Sequence, residues 1–287
     1  MKLIIISGLS GSGKSITLDT LEDAGFYCTD NLPIALLGDF AKLLTQTDNP
    51  LFKLAAVGID ARNDHQSLNH FSHFIEQLQH SQIEYDIIFL RANKDILLKR
   101  FNETRRKHPL SNQNTSLDEA IDLEIERLSS IASHASLQID TSNTNLHQLR
   151  DIIRKRICIN NAGDLSLQIM SFGYKHGAPN DVDFVFDARC LPNPYWDPSL
   201  RSATGKDTSV IQFLEQEPLV QRYLQDTTQY LNRWIPEFAN SNRNYLSIAI
   251  GCTGGQHRSV YLAEKLTLSL SNQGLSILTR HRELAAL

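Results

Sequence analysis

No pair of cysteines in this 287-residue sequence has the spacing of a metal or redox site. Cys28, Cys158, Cys190 and Cys252 stand far apart, with no CxxC and no Cys/His pattern typical of zinc, so they read as reduced thiols. Also missing is any run near the ~20 apolar residues needed to cross a bilayer. The opening Leu3-Ile4-Ile5-Ile6 is too short for a signal-peptide core. A cytoplasmic chain without a membrane partner is the expectation. Positive charge is not in excess either: 28 Lys and Arg face 32 Asp and Glu, a net charge of −4. The balance is 17 basic to 20 acidic residues in 1–159 and 11 to 12 in 160–287. Neither half is a basic module, so a nucleic-acid partner would need a local patch. There is no repeat of fixed period and no low-complexity segment. At 41% apolar and 21% charged the chain has the composition of a folded globular protein, with length for two domains.

Periodicity gives the plan. Leu3 to Ser7 reads as a buried parallel strand, followed by a Gly/Ser loop and a helix that Gly25 ends. Further strands are expected at Phe26 to Cys28, Leu54 to Ile59, Ile87 to Leu90 and Leu137 to Asp140. Helices are expected at Leu68 to His80, Lys94 to Lys107, Ser116 to Ala135 and Leu146 to Arg156. Strands alternating with helices imply an open, mostly parallel sheet covered on both faces. The polar stretch Asn160 to Asp164 marks the boundary between a domain at 1–158 and a second at 159–287. The second half is again α/β. Apolar Leu165 to Phe172 opens it, strands are expected at Phe184 to Phe186 and Leu246 to Ile250, and helices at Leu214 to Trp234 and Val260 to Leu270.

The loop Gly8-Leu9-Ser10-Gly11-Ser12-Gly13-Lys14-Ser15 fits G-x-x-x-x-G-K-[ST], between an apolar strand and a helix. Glycines let amides converge on phosphate oxygens, and a helix N-terminus favours anions. Lys14 would bring a charge to the β and γ phosphates, and Ser15 a hydroxyl to Mg²⁺. A nucleoside triphosphate is the expected ligand. The metal also needs a carboxylate. Asp60 follows Val57-Gly58-Ile59 at a strand end, and Asp30 ends the second strand. Each can equally be a solvated loop acid or a helix cap. Arg100, Arg105, Arg106 and Lys107 read either as a lid over phosphates or as a solvated charged face.

A second loop, Gly251-Cys252-Thr253-Gly254-Gly255-Gln256-His257-Arg258-Ser259, has the form C-x5-R-S between a strand and a helix. Tight glycines, helix N-terminal amides and a guanidinium suit a phosphate. Three readings stay open: a binding site for a phosphorylated small molecule, a phosphatase with Cys252 as nucleophile and Asp187 or Asp197 as acid, and a structural turn. Asp187 and Arg189 complete such a pocket or form a surface ion pair.

On these residues the chain closely resembles the RNase adapter RapZ family, also called the YvcJ family of P-loop proteins. The resemblance rests on Gly8 to Ser15, Thr29 to Pro33, Gly58 to Asn63, Glu103 to Leu110, Ser171 to Gly177, Asp187 to Arg189, Leu191 to Tyr195, Thr204-Gly205 and Gly251 to Ser259. It implies a kinase-like P-loop domain with weak ATPase and GTPase activity. ATP is assigned to Gly8–Ser15 and GTP to Asp60, Ala61, Arg62 and Asn63. It implies a second domain that senses glucosamine-6-phosphate through Asp187 and Cys252, Thr253, Gly254, Gly255, His257, Arg258 and Ser259. In some members that domain presents small regulatory RNA to an endoribonuclease. RNA-binding members commonly carry a basic C-terminal tail. Here Arg280-His281-Arg282 is followed by Glu283-Leu284-Ala285-Ala286-Leu287, which weakens the phosphate contacts that drive RNA affinity. Lys14 and Asp60 are the catalytic candidates and Ser15 and Asp30 the metal ligands; a small-molecule kinase is the alternative. A homo-oligomer is expected.

Overall fold

Successive side chains of a strand point to opposite faces, so a run of four large aliphatics needs cover on both sides. Leu3, Ile4, Ile5 and Ile6 are fully buried in the computed structural model. It describes residues 1–46, 52–63, 68, 71–80, 83–158, 165–241, 243–271, 275 and 277–284. The chain divides into two compact units, Met1–Cys158 and Ile159–Leu287.

In the first unit β1 (Lys2–Gly8) is the middle strand. β2 (Tyr27–Thr29), β3 (Leu54–Gly58), β4 (Glu84–Arg91) and β5 (Leu137–Asp140) complete a sheet of order β2-β3-β1-β4-β5. Every pairing is parallel. The helices between them are α1 (Lys14–Asp23), α2 (Leu37–Gln46), α3 (Phe71–His80), α4 (Lys94–Thr104), α5 (Leu117–Arg127), α6 (Ser129–Ser133) and α7 (Leu146–Ile153). Leu3 and Ile5 pack on one face with Val57, Phe71, Ile87 and Phe89.

Several elements differ from the sequence expectation, each for a local reason. The α4 helix stops at Thr104 because Arg105 adopts a left-handed φ of 51°. The long helix expected over Ser116–Ala135 is two, α5 and α6, joined at Leu128, whose φ of −91° and ψ of 2° leave the helical region. Ser116 caps α5 through a capping box with Glu119. The α2 helix was not anticipated. Part of the helix expected from Leu68, and the boundary stretch Asn160 to Asp164, lie outside the described residues.

The second unit has a four-stranded parallel sheet of order β7-β8-β6-β9. Its strands are β6 (Ser166–Gly173), β7 (Phe184–Asp187), β8 (Tyr245–Cys252) and β9 (Ile277–His281). Helices α8 (Thr208–Glu215), α9 (Pro218–Asn240) and α10 (Arg258–Ser271) accompany it. Pro218 opens α9 at its first turn, where no amide bond is lost, so the single helix expected over Leu214–Trp234 is two. The α/β class of both halves is as expected, and β9 is an addition. Among the described residues no helix is long and apolar enough to cross a membrane.

Two glycines show what the first crossover demands. Gly8 has φ 143°, and a Cβ there would lie 2.1 Å from the Leu90 carbonyl oxygen. Gly25 has φ 90° and an open surrounding. It ends α1 by the bonds Phe26 N–H to Leu21 O and Gly25 N–H to Glu22 O. Gly8→Ala should therefore cost about 3 kcal/mol, from overpacking added to strain, and Gly25→Ala only about 1 kcal/mol, from strain alone. Urea unfolding of the two variants checks the difference.

Candidate functional site

The loop after β1 is folded on itself. The Leu9 amide donates to Leu90 O at 3.0 Å, and the Ser12 amide and hydroxyl both donate to Leu9 O. Lys14 begins α1 and carries its ammonium back across the loop, where Nζ donates to Gly8 O at 2.6 Å. Burial pushes the Lys14 ammonium below its usual range, while Glu124, Asp60 and Asp30 oppose the shift and Arg62 adds to it. Ser15 is exposed at the start of the helix.

Neighbouring elements hold the loop carbonyls. Thr141, buried just past β5, donates its hydroxyl to Ser12 O at 2.9 Å. Arg100 donates through one Nη1 to Gly11 O and to the Thr141 hydroxyl, both at 3.0 Å. Arg100 is thus a strut under the loop, whereas Arg105, Arg106 and Lys107 are exposed beyond the end of α4. Glu124 of α5, fully buried, accepts the Ser10 amide at 2.8 Å and the Ser10 hydroxyl at 2.7 Å. It also faces His108 Nε2 at 3.1 Å. Glu124, Thr141 and His108 carry no motif that points to the loop, and sequence reasoning missed them in this role.

Asp60 is buried and engaged. Its oxygens accept the Arg62 amide at 2.9 Å, Arg62 Nε at 2.8 Å and Arg62 Nη2 at 2.6 Å. Asn63 spends its side chain on backbone: Oδ1 accepts Ile34 N–H, and Nδ2 donates to Leu32 O and Asp60 O. Ala61 is buried. Of the stretch Asp60 to Asn63, only Arg62 reaches solvent with polar atoms to offer. Asp30 is exposed, with Oδ1 accepting the Asn31 amide. No group of three or more metal-binding side chains occurs among the described residues. A hydroxyl and one or two carboxylates beside a phosphate loop are a donor set that fits Mg²⁺, which takes few protein ligands and completes its shell from phosphate and water.

In the second unit the C-x5-R-S loop joins β8 to α10. Gly173, ending the adjacent strand, permits its approach: a Cβ there would lie 2.7 Å from the Gly254 carbonyl carbon. Cys252 Sγ accepts the Gly255 amide at 3.2 Å and lies 3.1 Å from Ser259 Oγ. Arg258, 4% exposed, donates Nη1 to the carbonyls of Arg189 and Leu191 and Nη2 to Thr253 Oγ1. Its buried Nε has no partner among the described residues. Burial pushes the Arg258 guanidinium down. Asp187 ends β7 in register with Gly251 and is gripped by Arg189, whose hydrogen bonds hold its carboxyl below the usual range. Arg189 in turn lies 3.9 Å over the Tyr174 ring.

Family models divide the chain where its two sheets do. The RapZ-like N-terminal domain matches residues 1–161, and the RapZ C-terminal domain matches residues 165–285. The chain belongs to the RapZ family. A nucleotide-binding protein of Thioalkalivibrio sulfidiphilus is 51% identical over 99% of this chain and 100% of its own. Another, of Methylococcus capsulatus, is 51% identical over 99% of this chain and 96% of its own. The solved shikimate kinase of Bacteroides thetaiotaomicron is 15% identical, with a TM-score of 0.32 over 53% of this chain and 94% of that one. At that distance the strand order, not the likeness, defines the fold.

Within this RapZ-family chain, both glycine loops gather most of their candidate residues, but not all face outward. Thr253 is exposed and Gly254 has open space around it, whereas Cys252, His257 and Ser259 are buried. His257 Nε2 contacts Leu200 O at 3.1 Å, and burial pushes its imidazole below the ordinary 6.5. Burial does the same to His281, against the opposing bond to Glu264. Both rings are favoured neutral in the fold, so their contribution is present above pH 6.5 and is lost as pH falls from there through the lowered folded values. The urea midpoint of the second unit should drop between pH 7.5 and 5.5, and His257→Gln, which keeps an N–H for Leu200, should flatten that drop.

Proposed function

We propose that this chain is a cytoplasmic regulatory protein that binds a nucleoside triphosphate with Mg²⁺ at Gly8–Ser15 and hydrolyses ATP or GTP slowly. One observation carries the reading: a desolvated Lys14 ammonium folded across a glycine loop at the junction of the central strand and a helix N-terminus. A charge held that way gains from a polyphosphate what it has lost to water. Ser15, with Asp30, would hold the metal, which when bound neutralises charge on the phosphates. Slow turnover fits Asp60, whose oxygens are occupied by Arg62 and so do not orient an attacking water. Relatives named as nucleotide-binding proteins support the same reading.

For the second unit we infer a site for a phosphorylated small molecule, an amino-sugar phosphate by family resemblance, at Thr253, Gly254 and Arg258 beside Asp187. The buried Arg258 Nε, without a partner among the described residues, supports it. The adapter role, with small regulatory RNA and an endoribonuclease as partners, has less support. His281 is bonded to Glu264 and to Ser171, and Arg282 is anchored on the carbonyls of Gly173 and Gly177. With His281 and Arg282 bonded in this way, the C-terminal stretch offers little free positive charge to an RNA backbone. A small-molecule kinase is favoured by a different observation: Asp30, Asp60 and exposed Arg62 all stand close enough to Lys14 to act on its charge.

Lys14→Ala should weaken ATP binding in calorimetry about 100-fold, the loss of a charged hydrogen-bonding group; unchanged affinity refutes the first site. Product formed from an added phosphoryl acceptor at ~1–100 s⁻¹ would favour the kinase instead. Glucosamine-6-phosphate should raise the melting temperature of the wild type and not of Arg258→Ala. Absence of a shift in the wild type defeats the second assignment.

A further inference from the structure

Two buried side chains of the first unit lie outside the phosphate cradle yet touch it. Glu124 and His108 have side-chain exposures of 0% each. A carboxylate so placed must be met by donors, and Glu124 has three: the Ser10 amide, the Ser10 hydroxyl and His108 Nε2. Neighbouring bonds settle the state of the ring. The Leu110 amide donates to His108 Nδ1 at 3.2 Å, so Nδ1 is the acceptor and Nε2 carries the proton that Glu124 receives. All three bonds to the Glu124 carboxyl thus come from N–H or O–H donors.

We infer that Glu124 is a positioning residue, tying the phosphate loop to the basic turn Arg105-Arg106-Lys107 through His108. The turn hangs between two fixed points. Behind it, Arg105 holds a left-handed φ of 51°, a conformation unfavourable for a residue with a side chain, which persists only where its surroundings impose it. Ahead of it, His108 is buried, packed 5.1 Å from the Phe101 ring and bonded to Glu124. Between them the three basic side chains are exposed. Their position is set by the carboxylate that also sets the backbone and hydroxyl of Ser10. A phosphate that tightens the loop therefore tightens the turn and its positive charge with it. The second half of this statement rests on the nucleotide reading; the latch does not.

Limited trypsin digestion separates the two, since the enzyme cuts within the turn. Without nucleotide, Glu124→Gln should raise cleavage at 105–107 about tenfold over wild type, the loss of a charged buried bond, with cleavage at exposed Arg201 of the second unit unchanged. Mg²⁺ and ATP should slow cleavage of the turn in the wild type and not in the variant. His108→Gln, which keeps an N–H at that place, should resemble wild type, and His108→Leu should resemble Glu124→Gln. The inference is overturned if Glu124→Gln leaves the turn as resistant as before, or if the two His108 variants are cut alike. Should Glu124→Gln unfold the unit, buried Arg156 will be cut as well, and the His108 pair then decides. If calorimetry finds no nucleotide on the wild type, the proposed function falls, and the nucleotide-free comparison still judges the latch.

Discussion

A lysine ammonium held away from water at the end of a parallel sheet is the constraint around which the first unit is arranged. Burial disfavours the charge on Lys14, and the unit answers with Glu124, Asp60 and Asp30 close by, from three different elements. None of the three carboxylates is idle. Asp60 is held by Arg62, Asp30 accepts its neighbour's amide, and Glu124 is saturated by Ser10 and His108. Their charges thus stabilise the ammonium from a distance and leave Nζ, among the described residues, with one hydrogen bond, to Gly8 O. A carbonyl is a weak partner for a cation compared with a phosphate oxygen, so the arrangement leaves the ammonium unsatisfied.

Both units set a strand-end glycine against a neighbouring backbone beside the loop. In each, the middle of a parallel sheet delivers a glycine to the strand end, Gly8 in β1 and Gly173 in β6, and a second backbone comes within contact of it. Gly8 meets the Leu90 carbonyl, which also accepts the Leu9 amide. Gly173 meets Gly254 and Gly255 of the C-x5-R-S loop itself. Parallel sheets concentrate strand ends and helix beginnings on one edge, and that edge is where ligands of such folds bind. The strand order 2-3-1-4 recurs in the two sheets, while the residues at the edge do not.

Local chemistry could be read from the chain, and long-range chemistry could not. The strand–loop–helix around Gly8–Ser15 and the loop at Gly251–Ser259 are contiguous, and their glycines, Lys14 and Arg258 sit where a strand meets a helix. The alternation of apolar strands with helices was enough for the α/β class. What escaped was whatever the fold brings from afar. Glu124 is 114 residues from Ser10 and Thr141 is 129 residues from Ser12, and nothing about an acid in an amphipathic helix or a threonine after a strand distinguishes them. Arg100 shows the converse. Its helix read as a basic face, yet periodicity does not say which cation of that face is turned under a loop. Helix ends failed for a different reason: the breaks at Arg105 and Leu128 fall on residues with ordinary helix propensity, and backbone angles imposed by packing decide them.

The two glycine loops differ in the cation each presents, and that difference has consequences of its own. Lys14 ends in a compact charge on a four-carbon stem with three rotatable donors, able to follow a phosphate that changes position or is cut away. Arg258 is planar, and its Nη1 is already locked on the carbonyls of Arg189 and Leu191. With that nitrogen fixed, Nε and Nη2 can point in only one direction, so a phosphate on the proposed site would be chosen by shape and not followed through a reaction. Cys252 is consistent with such a static role, since its sulfur is bonded to Gly255 and Ser259 inside the loop, shaping the turn that a nucleophile would have to leave. Asp187, kept ionised by Arg189, is likewise a poor proton donor to a leaving group. The physical chemistry of the second loop therefore favours recognition over turnover, and it is the first loop, with its rotatable ammonium donors and its exposed Ser15 and Asp30, that has the freedom a reaction needs.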